Sequence, residues 1–311
     1  MKARPIVEKA LNSAVFLPHP VRVSLYRSYR GRKERRKLAA ADGAIVSYPK
    51  SGRTWLRILL TELYKQHFNI VTDEVLGFQN FCAKNPAVPR LLFTHDHFLA
   101  STGACESAKP YFSGKRIVLL VRDPRDVIVS FHLHTRFRGD EGRTRLKFES
   151  PVRPGIELCD FIQHPEFGLR RAIRFLNGWQ RALPALGDDV LVVRYEDMRR
   201  DTATELARIA DHIGLSVGPE DIAVAVERAS FRNMQKCEAE GLYGDRSNRL
   251  TPGDRQNPQS FKVRRGKVGG YADYLEPAEL AEMEALIAAE LLPGFGYEAP
   301  DQAWAARGVS A

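Results

Sequence analysis

No stretch of this chain approaches roughly 18 consecutive apolar residues, so a membrane-spanning helix is excluded. Cysteine is scarce: four residues, at 82, 105, 159 and 237, with no C-x-x-C pair and no histidines at zinc spacing. That excludes a zinc ribbon and a disulfide-stapled scaffold, and leaves free thiols in a reducing compartment as the expectation. There is no internal repeat and no low-complexity tract. A signal-peptide core is also missing, because the apolar run Ala14-Val15-Phe16-Leu17 is short and ends at Pro18. The setting expected from these absences is the cytoplasm, with peripheral contact at the inner face of a membrane left open. The triphosphate-binding loop G-x-x-x-x-G-K-[ST] is absent as well.

What is present is the composition of an ordinary globular protein: 311 residues, 44% hydrophobic and 27% charged. The net charge of +9 is confined to the first 40 residues, which hold 11 Lys/Arg against Glu8 and Glu34. The other 271 residues carry equal numbers of acidic and basic side chains. A nucleic-acid partner is therefore not expected. The organisation read from this is a basic N-terminal arm (1–40), one domain (41–300) and a C-terminal tail (301–311). Residues 21–37, VRVSLYRSYRGRKERRK, interleave aromatics with Arg and Lys. Two readings stand for them, a solvated or substrate-facing arm and contact with an anionic membrane. Gly31 is expected to interrupt any continuous helix there.

The domain reads as α/β. Residues 44–48 (AIVSY), 116–121 (RIVLLV) and 190–193 (VLVV) are short apolar strands. Between and after them, Leu56/Leu59/Leu60/Leu63, Ile173/Leu176/Trp179/Leu183, Leu206/Ile209/Ala210/Ile213 and Leu280/Met283/Ile287/Leu291 recur at helical spacing. Such alternation predicts a single domain with a central parallel sheet flanked by helices, its ligands beyond the carboxyl ends of the strands. Phe137–Pro165 and Glu238–Lys262 show no sustained period and read as binding loops.

The turn after the first strand is Tyr48-Pro49-Lys50-Ser51-Gly52-Arg53-Thr54-Trp55. Between a buried strand and an amphipathic helix, backbone N–H groups and the helix dipole converge on an anion. Gly52 lets the backbone come close, Lys50 brings charge, and Ser51 and Thr54 bring hydroxyls, so the turn is P-loop-like without being the triphosphate loop.

YPKSGRTW resembles the 5′-phosphosulfate loop of the cytosolic-type sulfotransferases, which use 3′-phosphoadenosine 5′-phosphosulfate (PAPS). Four further stretches resemble that family's motifs, in order. RIVLLVRDPRDVIVSF (116–131) is similar to its 3′-phosphate motif, with Arg122 and Ser130 eight residues apart; VRYEDM contributes Tyr195; ASFRNMQK (229–236) is similar to its SF-x-x-M segment; and VRRGKVGGY (263–271) is similar to its last phosphate loop. The resemblance implies that Lys50, Ser51, Gly52, Arg53 and Thr54 hold the 5′-phosphosulfate. It implies that Arg122, Ser130, Arg264, Arg265 and Gly266 hold the 3′-phosphate, and that Trp55, Tyr195, Phe231 and Met234 sandwich or edge the adenine. The catalytic base it implies is His95, in Phe93-Thr94-His95-Asp96-His97, with His97 the competing choice. Phe93 stands where the family often has Lys, and Gly270-Tyr271 where it has Asp-Trp.

The implied chemistry is in-line sulfuryl transfer from PAPS to a hydroxyl or amine, without a metal. Lys50 would stabilise the bridging oxygen, and a histidine with an ordinary pKa of about 6.5 would take the acceptor proton. The acceptor is not readable. Arg136, Arg138, Arg143, Arg145, Arg246 and Arg249 in or beside the two loops suggest a polar or anionic small molecule, glycan or glycolipid, and no apolar lining for a phenol or steroid is evident. The competing functions are a P-loop-like nucleoside or small-molecule kinase and a non-catalytic membrane- or polyanion-binding module.

Overall fold

Alternate residues along each strand point to opposite faces of a sheet, and here the two sets build two separate cores. A computed structural model describes residues 6–100, 109–138, 146, 155–243 and 250–298. Its strands β1 (Gly43–Ser47), β2 (Leu91–Thr94), β3 (Arg116–Val121) and β4 (Val190–Arg194) form one all-parallel sheet in the order β2-β1-β3-β4. On one face Ile45, Val118, Leu120 and Val193 pack with Leu56, Leu59, Leu60 and Leu63 of the helix Arg53–His67 and with Leu206 and Ile209 of the helix Thr202–His212. On the other, Ala44, Val46, Ile117, Leu119 and Val121 meet Ile128 of the helix Pro124–Arg138, Ile173, Leu176 and Trp179 of the helix Leu169–Leu186, and Met283 and Ile287 of the helix Pro277–Glu290. Both interior strands are therefore apolar at nearly every position, as parallel sheets covered on both sides require.

The three strands expected from sequence are there, and β3 lies inside the sheet. β2 is an addition: four residues between Arg90 and His95, too short to show a period.

The N-terminal region corrects the expectation about Gly31. His19–Ala39 is one continuous 21-residue helix running through Gly31, preceded by the helix Ile6–Ser13. A mid-helix glycine costs about 1 kcal/mol against alanine, and tertiary packing outweighs that here. Val23, Tyr26, Gly31 and Leu38 are buried. Tyr26 meets Phe98 edge-on at 5.8 Å, the Arg30 guanidinium sits 4.7 Å from the Phe98 ring, and Glu34 accepts a 2.9 Å hydrogen bond from the Thr94 hydroxyl at the end of β2. This helix is thus anchored beside the segment that carries His95.

Candidate active site

In a parallel sheet every strand delivers its carboxyl end to the same edge. Here those ends carry the Lys50 turn, His95, Arg122 and Tyr195, and all four line one cavity of about 1160 Å³. The turn bends sharply because Lys50 (φ 73°) and Gly52 (φ 92°) both adopt left-handed backbone. Only glycine fits at 52: a Cβ there would stand 2.5 Å from the Tyr195 ring. The helix starts at once, Leu56 donating its amide to Gly52 O at 3.1 Å.

Fifteen of the sixteen side chains singled out from sequence, His97 included, line this cavity. Ser51 is the exception, being buried and outside the lining.

Burial lowers the Lys50 pKa to about 7, and the charges of Lys262, Arg138, Arg122 and Arg264 push the same way. An amine held that close to neutrality, with cations around it, takes up a proton when an anion arrives. Arg122 is the opposite case. Burial opposes its charge, but Asp126, Tyr195 and Glu196 more than offset that and hold it cationic. Its guanidinium donates to Lys50 O (3.2 Å) and Asp126 Oδ2 (3.2 Å) and lies 4.2 Å from the Tyr195 ring centre.

Asp126 also accepts the amides of Gly269 and Tyr271, each at 3.0 Å, which ties the loop 263–271 to the helix carrying Ser130. Within that loop Arg264 donates to the Tyr274 hydroxyl and Arg265 pairs with Asp273 at 2.5 Å. Gly266, at φ 61°, sits against Phe231, where a Cβ would come within 2.9 Å of the ring. Trp55 is fixed by its indole N–H donating to Ala229 O at 3.0 Å and stands edge-on to Tyr195 at 5.8 Å. The Arg199 guanidinium lies 5.7 Å from the Trp55 ring and 6.0 Å from Phe231, and Met234 is buried behind. The cations of the Lys50 turn, of Arg122 and of the loop 263–271 thus share one cavity with Trp55, Tyr195 and Phe231.

The two histidines differ in how they are held. His95 Nδ1 is 2.7 Å from the carbonyl of Ser47, so Nδ1 carries the proton and Nε2 presents its lone pair, here accepting from Arg53 Nη2 at 2.5 Å. His97 Nδ1 instead accepts from Arg171 Nη2 at 2.6 Å, which puts its proton on Nε2. Asp96, between them, is buried in a 2.5 Å ion pair with Lys109 and accepts from the Tyr111 hydroxyl at 2.7 Å.

Sequence reasoning passed over several groups. Asp126 sits inside the R-x-P-x-D stretch, and that position was the available signal. Arg199, Lys262, Arg27, Arg171 and Arg174 also line the cavity, and no spacing marks them. Of the six arginines read as acceptor contacts, Arg138 lines the cavity, Arg136 does not, and Arg143, Arg145, Arg246 and Arg249 lie outside the described residues. The expected lack of apolar lining is corrected too: Phe98, Val129, Phe131, Leu133 and Phe175 contribute to the wall. Their distance apart in sequence, from 98 to 175, is why no local pattern announced them.

Comparison with known proteins places the chain in a family. A family model described as Sulfotransferase domain matches residues 41–296. The chain is 24% identical to Sulfotransferase 2A1 of Mus musculus over 274 residues, covering 82% of this chain and 85% of that one. It is 26% identical to Cytosolic sulfotransferase 17 of Arabidopsis thaliana over 282 residues, 82% of this chain and 75% of the other. Among solved structures, mouse sulfotransferase SULT7A1 complexed with PAP superposes with a TM-score of 0.54 at 18% identity, covering 85% of this chain and 90% of that one. Retinol dehydratase in a complex with retinol and PAP gives 0.54 at 19% identity, over 80% of each chain.

Proposed function

The chain belongs to the sulfotransferase family, and from that premise we propose that it transfers the sulfuryl group of PAPS to a hydroxyl of a polar small-molecule, glycan or lipid acceptor. The observation that carries the donor assignment is that two groups of cations line the cavity together with Trp55, Tyr195 and Phe231. One is the left-handed turn with Lys50; the other joins Arg122, Ser130 and the Arg264–Gly266 loop. A nucleotide bearing phosphate at both 3′ and 5′ fits two such groups, whereas ATP has nothing to place at the second.

PAPS supplies a sulfuryl group on a phosphate leaving group. The residues of this chain bind, neutralise and move one proton. Arg122, backed by Asp126, grips the 3′-phosphate and fixes the nucleotide's register. The charge on Lys50 stands at the oxygen that keeps the electron pair when the S–O bond breaks. His95 Nε2 accepts the acceptor's hydroxyl proton as the new S–O bond forms, and the Ser47 carbonyl holds the imidazole in the tautomer this needs. Lys and Arg side chains supply the countercharge, so the rate is expected to be unchanged by EDTA.

A thermal-shift titration tests the donor site. Adenosine 3′,5′-bisphosphate at a hundredfold excess over Kd should stabilise the chain by about 2.7 kcal/mol. AMP should shift it less, and Arg122→Ala should erase the difference between the two. A larger shift with ATP would favour the kinase reading.

A second reading concerns location. No helix among the described residues is long and apolar enough to cross a membrane. Yet Ile6, Val15, Phe16, Val21 and Leu25 are large hydrophobics exposed on the first 25 residues, with Arg32, Lys33, Arg35 and Arg36 exposed on the same helix pair. That combination supports contact with an anionic membrane surface. Sedimentation with phosphatidylserine vesicles should fall sharply for Val15→Glu/Phe16→Glu and in high salt. Equal, salt-insensitive sedimentation of both proteins would remove the idea.

A further inference from the structure

Glu238, on the helix Phe231–Glu240, is completely buried, and nothing in the sulfuryl transfer calls on it. A carboxylate taken out of water is costly unless several donors meet it. Three do here. The Arg138 guanidinium, at the end of the helix Pro124–Arg138, pairs with it at 3.2 Å. The amides of Lys262 and Val263 donate to it at 2.8 and 2.9 Å. Two consecutive backbone N–H groups are thereby aimed at one carboxylate. Gln235, one turn earlier on the same helix, donates to the Val263 carbonyl at 3.3 Å. Arg138 also donates to the carbonyls of Thr251 and Ser260, on the chain that leads into Lys262.

The residues that follow are Arg264, Arg265 and Gly266. The far end of their loop is held by a second buried carboxylate, Asp126, through the amides of Gly269 and Tyr271. One buried carboxylate thus stands at each end of residues 262–271, and each grips backbone. The ion pairs that Arg265 and Lys267 make with Asp273 are partly exposed, and such pairs contribute little. Hydrogen bonds to a buried carboxylate are the stronger kind. Arg264 begins one residue past the gripped amides, so a shift there is carried straight to its guanidinium.

Resting on the sulfotransferase reading above, we propose that Glu238 is a positioning residue for the donor. By holding the Lys262 and Val263 amides it fixes Arg264, Arg265 and Gly266 before the nucleotide arrives. It thereby sets the preference for a nucleotide with a 3′-phosphate over one without. Arg138 serves the same loop through Glu238.

The test is calorimetric titration of the full chain with adenosine 3′,5′-bisphosphate and with 5′-AMP, before and after Glu238→Gln. The substitution keeps the size of the side chain but sets an amide donor against the donors of Arg138 and the loop. The preference for the bisphosphate should fall at least about tenfold, about 1.4 kcal/mol, while AMP affinity changes by less than about twofold. An unchanged preference, or equal loss for both nucleotides, overturns the proposal. Amide exchange at Lys262 and Val263 in the unsubstituted chain decides the matter if Glu238→Gln does not fold. Both amides should exchange slowly without nucleotide. Fast exchange that slows only on bisphosphate binding would mean that the ligand orders the loop, and would overturn the proposal too. An unsubstituted chain that binds the two nucleotides equally, its 262–263 amides still protected, would instead sink the donor reading and with it the role given to Glu238.

Discussion

In the region read as the donor site, the arginines are tied to nearby partners: Arg122 to Asp126 and to the Lys50 carbonyl, Arg264 to Tyr274, Arg265 to Asp273. Elsewhere on the wall, Arg27, Arg171 and Arg174 come from two helices, Arg171 braced by the Glu166 carbonyl and His97 and Arg174 by the Pro165 carbonyl. In the first region carboxylates and a tyrosine hydroxyl orient the cations in advance, a preorganised arrangement. The second brings charge and aromatic surface together from elements distant in sequence.

The contrast can be broken most forcefully at Lys50. Lys50→Ala should lower kcat by about 10² to 10³ with little change in acceptor KM, since its charge acts on the leaving group. Steady-state rates with acceptor varied at saturating donor will show this. A rise in acceptor KM with kcat intact would move Lys50 out of the donor region.

At the boundary between the two regions, His95→Ala should lower kcat by about 10² or more. His97→Ala should act mainly on acceptor KM, because its hydrogen bond goes to Arg171. If His97→Ala carries the larger kcat loss, the two histidines exchange roles.

A smaller effect sharpens the donor side alone. Because the folded-state pKa of Lys50 is about 7 against an ordinary 10.5, the unfolded chain binds a proton there that the folded chain lacks between those values. Unliganded stability therefore decreases as pH falls through that window and levels off below pH 7. Bisphosphate binding restores the charge. At pH 8, where roughly a tenth of Lys50 is protonated when free, binding should take up close to one proton, measured calorimetrically in buffers of differing ionisation heat. Lys50→Met should take up none.

The legible part of this molecule was what short-range physics writes into neighbouring residues. Apolar runs of strand length, helical spacing such as Leu56/Leu59/Leu60/Leu63, and a Lys-Ser-Gly turn between strand and helix each report on a few consecutive residues. They sufficed for the parallel sheet, the donor turn and the order of the motifs. β2 escaped because four residues carry no period, and the helix through Gly31 because burial of Val23, Tyr26 and Leu38 outweighs a local preference.

By itself, then, the sequence determined an α/β chain with a turn between strand and helix at the sheet's carboxyl edge and named most of the residues that line the cavity there. Tertiary structure decided that the Ser51 side chain is buried, that Asp126 clamps the last loop, which nitrogen of each histidine is held by its neighbour, and that Arg27 and Arg174 come within Coulomb range of Arg171. The reason is that these outcomes depend on juxtaposing residues tens to more than a hundred positions apart. Only closure of the two cores around the sheet brings such residues within hydrogen-bonding or Coulomb range.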